Sequence, residues 1–523
     1  MDVRRVTPAV LVLCVVGAGL ASLTLRLDSN WDLKNYHYYN AYAFLNGRLG
    51  WDVAPAQLQT YYNPLLDLPF YFLVNAVGSP RAVAFAMAAT TGIAAFFFLR
   101  ILTVLFPAGK VEDRFLWIGL SFVIGVTGAT GISVLGSTMN EWPPTMLLMA
   151  SAWILVTSIA TTGGASTRAM VLAGLLAGIA AGLKLTYGVF ALALIVALGA
   201  IGPPRARLRS VAVLVSFTGL GFLLSYGFWG TILYREFGNP FFPYFNTIFA
   251  SPYWERASLM GNQFGPRDVL QAIAFPLYFA RDSQLVSEVS FRDWRLAALL
   301  VLASCCLVKF LVIRRRTPAG TAANPLATAW RFIAVFALAA YLAWLQLFAI
   351  YRYLVPLEML AGPLTVACAL YLVPGRNARR VAIVILAVLI VGSTRKAGWG
   401  RIDFGTRYFD VAVPAVAPNA LVIVGPVEPM AYVIPFMPRD ARFVSPSNNF
   451  LRVSQGNLLQ RRIGDIIAGH AGPIYFLDFH APEQVETALQ HYGLARDKSS
   501  CQPIRSNLDD NAMRLCRVER LRR

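Results

Sequence analysis

Charge is what this chain has least of. Only 14% of its 523 residues are Asp, Glu, Lys or Arg, against about a quarter in an average soluble domain. Hydrophobic residues make up 57%, and mean hydropathy is +0.56. That deficit excludes an ordinary soluble globular protein of this length. Histidine is scarcer still: the 4 histidines are scattered, with no two at ligand spacing on one helix and no HExxH. A P-loop and a GxGxxG after a strand are also missing, so cytoplasmic nucleotide chemistry has no visible home. The 27 acidic residues are outnumbered by 46 basic ones, giving a formal charge of +19. A basic surface of that size suits nucleic acid, but here the cations fall in short clusters between apolar runs. The positive-inside rule produces that pattern, and nucleic-acid binding is set aside. Of 6 cysteines, Cys14, Cys305, Cys306 and Cys368 lie in apolar stretches. Cys501 and Cys516 lie in the tail, where an oxidising compartment would let them close a loop.

Apolar length is abundant. The first run, Val6–Leu25 after MDVRR, looks like a signal peptide but has no convincing small-residue cleavage site, so it reads as a retained first helix. About eleven candidate spans follow from the run lengths, the first over 6–26 and the last over 380–394. Leu65–Val77 is apolar but short and interrupted by Asp67 and Pro69, so it is expected to lie at the interface or re-enter rather than cross. With that choice, Arg4/Arg5, Lys110/Arg114, Arg168, Arg205/Arg207/Arg209, Arg314–Arg316 and Arg376/Arg379/Arg380 all fall on one side, which the same rule makes the cytoplasm. The opposite face receives Ser29–Pro64, Gly136–Glu141, Lys184–Tyr187, Tyr234–Trp294, Tyr351–Arg352 and everything after about Arg395. The expected architecture is a polytopic all-α membrane protein over 1–395, its first outside loop carrying interfacial helices. A small C-terminal α/β extracytoplasmic domain over 396–523 follows, because NALVIVGP, RFVSP and GPIYFLDF read as strands and PEQVETALQHYGL as a helix.

The loop Ser29–Pro64 carries Asp32, Lys34, His37, Arg48 and Asp52 among 6 tyrosines and 2 tryptophans. Asp32 is the best candidate general base, and Asp52 and Glu141 stand behind it. Helix N-capping is the plainer role for Asp32. On an α-helix His37 lies about 140° from Asp32, so spacing does not support a dyad between them. Lys184 interrupts the apolar stretch LLAGIAAGLKLTYGVFALAL, where an ionisable group is costly unless it faces a polar cavity. Snorkelling to the interface is the alternative. Arg352 sits between two spans, flanked by Tyr351 and Tyr353, and its guanidinium suits a phosphate. Arg235, Arg281 and Arg292 are less constrained candidates in the large loop. The tyrosines also fit an interfacial aromatic belt.

Trp31-Asp32 through Tyr36-His37, then AYAFLNGRL, the NPLLDLP segment Asn63–Pro69, AGLKLT around Lys184 and RYLVP at Arg352–Pro356 together resemble the C-type glycosyltransferase superfamily. That superfamily includes protein O-mannosyltransferases and the aminoarabinose transferases of lipid A. GNPFFPYFN, Gly238–Asn246, is similar to loops in bacterial members. The resemblance implies a polyprenyl-phosphate sugar as donor, Asp32 as the loop carboxylate, Glu141 as the second-loop acid, and Lys184 and Arg352 as the basic positions at the donor phosphate; Arg281 and Tyr353 are further candidates for donor contact. No second acid directly follows Asp32 and no WWDxG-type signature is present, so protein mannosylation and en bloc glycan transfer are not implied. The expected protein is an inverting glycosyltransferase of a bacterial inner membrane, with its N-terminus cytoplasmic and its tail periplasmic. Its partners would be the bilayer, the lipid-linked donor and an extracytoplasmic acceptor. No resident cofactor and no metal ligands are assigned, and the sequence leaves a divalent ion open. A transporter or flippase of lipid-linked glycans, or a non-catalytic subunit of an envelope assembly complex, are the rival readings.

Overall fold

In the computed structural model the described residues are 3–108, 113–201, 204–257, 263–312, 324–479, 484–509 and 513–521. Lys110, Arg314–Arg316 and residues 482–483, where the tail helix is expected to begin, lie outside them, as do the side chains of Arg4, Arg5 and Arg205. Among the described residues, six helices are long and apolar enough to cross a membrane: Pro80–Leu105, Trp142–Thr162, Arg207–Phe237, Arg295–Val312, Pro325–Leu347 and Tyr351–Leu372. Thr7–Leu23, Pro64–Val77, Arg114–Val126, Thr167–Leu183 and Leu185–Gly199 are apolar but shorter. Several of the eleven expected spans are therefore short helices, because Pro, Gly and turn residues break the apolar runs. Asp113 pairs with Arg376 at 3.2 Å and also with Arg380, so two of the basic turns lie together.

Helices close on one another where glycine removes the side chain. A Cβ at Gly178 would fall 2.0 Å from the Thr218 carbonyl oxygen, and one at Gly182 would fall 2.2 Å from Ser225 Oγ. Those two positions let Thr167–Leu183 lie directly on Arg207–Phe237, and they fix where Lys184 emerges.

The tail is an α/β unit. Its sheet runs in the order Arg442–Val444, Leu421–Val424, Ile474–Phe479, Met513–Arg520, Leu494–Arg496; the first two pairings are parallel and the last two antiparallel. The three expected strands and the helix, Gln484–His491, are present. Cys501 and Cys516 form a disulfide.

The tail does not hang free. Leu27–Asp28 pairs with Arg401–Ile402. Val53 donates its N–H to Phe443 O (2.9 Å) and accepts from Ser445 N–H (3.0 Å), extending the sheet beside its edge strand. Lys34 Nζ reaches Asp509 at 2.7 Å. The loop that follows the first helix is thereby clamped between the helices and the tail sheet.

Candidate functional site

The clamped loop opens with a helix over 31–45. Its start is capped by Asn30, whose Oδ1 accepts from Leu33 N–H at 2.8 Å. Asp32 is already helical (φ −63, ψ −40) and makes no side-chain cap, which corrects its expected N-cap role and leaves its carboxylate free to face inward. The first full turn, Leu33–His37, is π-helical. A π turn closes from i to i+5, so residues five apart share a face. Asp32 and His37 are such a pair, but no dyad forms between them: Asp32 pairs with Arg352 and His37 with Asp67. The helix ends at Leu45 with Asn46 as its cap and Gly47 at φ +63, as the Asn-Gly pair predicts.

Four charged residues expected from separate segments meet here. Arg352 Nη1 donates to Asp32 Oδ2 at 2.9 Å, and its Nε lies 3.6 Å from Glu141 Oε1. Lys184 Nζ donates to the same Glu141 oxygen at 2.6 Å and to the Met139 carbonyl at 2.9 Å. The Glu141 side chain is fully buried, whereas those of Asp32, Arg352 and Lys184 retain 14%, 18% and 19% of their exposure. The site is therefore a nearly closed charge cluster with a narrow opening. Tyr353 lies under both cations, 5.6 Å from Lys184 Nζ and 5.7 Å from the Arg352 guanidinium. Trp399 stacks on Arg352 at 5.3 Å. Burial works against the Asp32 charge, but Arg352, His37 and Lys184 outweigh it and hold the carboxyl below the usual carboxylate range.

Local structure explains each placement. Lys184 follows the last turn of Thr167–Leu183 in extended backbone (φ −141, ψ 106), so its side chain leaves the helix axis. Asn63 of the NPLLDLP segment ties the loop to that point, donating from Nδ2 to Gly182 O and Ser225 O, both at 3.0 Å. Arg352 lies in the 3-10 turn Tyr351–Leu354, which is pinned by Tyr351 N–H to Val286 O at 2.8 Å. The helix after it is anchored by Glu358, which accepts from Thr130 N–H (2.9 Å) and Gly131 N–H (2.8 Å). Gly128 must lack a Cβ for this, since one would sit 2.0 Å from Glu358 Oε2. Asp293 accepts from Ala129 N–H at 2.9 Å and pairs with fully buried Arg295 at 2.7 Å.

Two expected site residues are elsewhere. Asp52 is buried against the tail sheet, accepting from Arg48 Nε (2.6 Å) and Nη2 (2.8 Å), Tyr39 OH (2.8 Å) and Phe443 N–H (2.9 Å). Both of its oxygens are committed, through an i,i+4 arginine and a strand nearly four hundred residues later, and Asp52 does not join the Asp32 cluster. Arg281 ends the short helix Phe275–Arg281 with an exposed side chain and does not join the cluster. Tyr62 and Tyr244, hydroxyl to hydroxyl at 2.5 Å, join the Gly238–Asn246 loop to the site.

Sequence reasoning missed a second buried group. His37 Nδ1 lies 2.6 Å from Asp67 Oδ1, and Asn140 Nδ2 donates to that oxygen at 2.8 Å. Asp67 sits at the joint between Pro64–Leu66 and Leu68–Val77, and Asn140 directly precedes Glu141. The signal available was Asp67 itself, a carboxylate interrupting an apolar run. Among the described residues no three of His, Cys, Asp and Glu are grouped to hold a metal ion.

No family model matches the sequence, and no curated protein matches it. Among solved structures, the chain is similar to the apo form of the Archaeoglobus fulgidus oligosaccharyltransferase, with 12% identity and a TM-score of 0.46 over 90% of this chain and 69% of that one. A likeness of that degree decides neither fold nor reaction.

Proposed function

We propose that this chain is a membrane glycosyltransferase that moves a sugar from a polyprenyl-phosphate donor to an acceptor outside the cytoplasm, most simply across a bacterial inner membrane. The observation that carries the reading is the Asp32–Arg352–Glu141–Lys184 cluster, enclosed by aromatic rings where the loops meet the helices. Two cations poised on two carboxylates suit a phosphate that arrives carrying its own negative charge. Arg352 and Lys184 turn to the phosphate and stabilise it as it departs. That exchange releases Asp32 from its ion pair, and the freed carboxylate takes the proton of the acceptor hydroxyl as the hydroxyl attacks the anomeric carbon. A single displacement inverts that carbon. The motif resemblance around Asp32, Lys184 and Arg352 supports the same assignment of roles. Glu141 holds the two cations in register before the donor arrives.

The test is release of polyprenyl phosphate from radiolabelled polyprenyl-phosphate sugars by the purified protein with membrane acceptors. A transporter moves the lipid intact, and an assembly subunit does neither. Replacing Asp32→Asn abolishes release while donor binding persists. Full activity in that variant sinks the assignment.

A further inference from the structure

We propose that segment 267–282, in the long connection before the span Arg295–Val312, dips into the bilayer, its outer face covered by lipid acyl chains. This goes beyond the transfer reading and does not depend on it. The segment is two short helices, Val269–Ile273 and Phe275–Arg281, meeting at Ala274. Asp268 Oδ1 caps the first, accepting from Gln271 N–H at 2.8 Å. The two faces differ in fate. Phe275, Pro276, Phe279 and Ala280 are buried in the protein. Val269, Leu270 and Ile273 keep 75%, 80% and 67% of their exposure, and Tyr278 is also exposed. Large apolar side chains left together in water are unfavourable, and such a patch marks a surface that something apolar covers. Charge is confined to the ends of the segment, where Arg267, Asp268, Arg281 and Asp282 are exposed.

The inner face fixes the depth of the segment. Phe279 packs edge-on against Trp344, with ring centroids 6.3 Å apart, and against Tyr351 at 5.5 Å. Trp344 lies three residues before Leu347, where the span Pro325–Leu347 ends. Phe275–Arg281 also packs on the span Arg295–Val312. The approach to the segment runs at the same level: Gly265 donates its N–H to Leu285 O at 3.1 Å, and a Cβ on Gly265 would lie 3.6 Å from Ala349 Cβ. The two helices therefore lie level with the last turn of one span and beside another, not above them. At that depth the hydrocarbon of a bilayer gives way to headgroups. A break in the backbone such as the one at Ala274 is tolerated there, with protein on the inner side. Tyr278 suits the headgroup boundary, and the Arg267 and Arg281 guanidinium groups reach lipid phosphates from the two ends. The neighbouring span has the same outward character, since only 17% of Arg295–Val312 is buried. Because Phe279 abuts Tyr351, the residue before Arg352, one element joins the bilayer surface to the turn that carries the charge cluster.

The experiment uses the full-length protein in nanodiscs of phosphatidylethanolamine and acyl-tritiated phosphatidylglycerol. Leu270, Ile273, Val308 or Gln502 is replaced, one at a time, by a diazirine-bearing amino acid, and the sample is irradiated. Val308 is exposed on a span, and Gln502 is exposed on the tail sheet. All four positions are on the surface, so the substitutions leave the fold intact. The expected result is tritium on the chain from positions 270 and 273 at the yield seen from 308, and none from 502. An adduct of twice the chain mass from 270 overturns the proposal, because a second copy then covers the face. So does an unlabelled chain from 270 and 273 while 308 is labelled, because the face then meets water. If 308 is unlabelled as well, the membrane reading falls and the proposal falls with it. Sugar transfer does not enter the readout, so a protein that releases no polyprenyl phosphate yet labels from 270 and 273 loses only the transfer reading.

Discussion

Replacing Lys184→Met tests whether the cluster is held by electrostatics or by packing. Lys184 gives Glu141 its closest partner, at 2.6 Å, and the Glu141 side chain is fully buried. Removing one member of a buried pair costs about 3–5 kcal/mol, mostly because the other charge stays desolvated. Two facts reduce that here. Arg352 Nε remains 3.6 Å from the same oxygen, and the Lys184 side chain keeps 19% of its exposure. About 2–3 kcal/mol then remains, a fall in Tm of about 3–5 °C given how shifts shrink with chain length. The companion Lys184→Met/Glu141→Gln removes both charges and regains most of that loss, a coupling of about 1–2 kcal/mol. The assay is thermal unfolding in detergent, followed by the fraction that stays monodisperse. Both variants lose donor binding, since the phosphate has lost a cation. A Lys184→Met protein as stable as the wild type, or a double variant no better than the single, refutes the electrostatic account.

Asp52→Asn destabilises the folded protein by about 2–4 kcal/mol, because Arg48, Tyr39 and the Phe443 N–H all lose their charged acceptor; activity per folded molecule, measured by active-site titration, is unchanged. Cys501→Ser removes a cross-link spanning 15 residues, worth about 3 kcal/mol, and the loss registers as faster proteolysis of the tail while the helical part stays intact. Because the folded Asp32 carboxyl titrates below its ordinary range, its ion pair with Arg352 stabilises the protein above the normal carboxylate range and is lost as pH falls through the depressed value. Thermal stability measured on descending pH therefore shows an acid-sensitive component that is absent from Asp32→Asn.

Asp32, Glu141, Lys184 and Arg352 were legible in the sequence for one reason: each interrupts or borders an apolar run, where an unmatched charge is expensive. Their mutual pairing was not legible, since it spans up to 320 residues of chain. The His37–Asp67 contact was not legible because it joins positions 30 residues apart, and nothing local in LKNYH announces the π turn. Asp52 looked catalytic because it stands in a polar aromatic loop. Its occupants come from Arg48, four residues before it, and from a strand beyond residue 440. The tail strands were readable because β-branched and aromatic runs bounded by Gly, Pro and Asn carry their own signal. The division at 395/396 hid Trp399, which stacks on Arg352 although it lies on the tail side of that line.

The union of Val53 with the strand Arg442–Val444 has a consequence for biogenesis. The early loop leaves the ribosome long before its sheet partner exists, and the Asp52 to Phe443 bond alone joins positions 391 residues apart. Until the last fifth of the chain has been translated, the loop lacks the edge strand that it pairs with. The loop therefore reaches its final hydrogen bonding only after the strand Arg442–Val444 has been made.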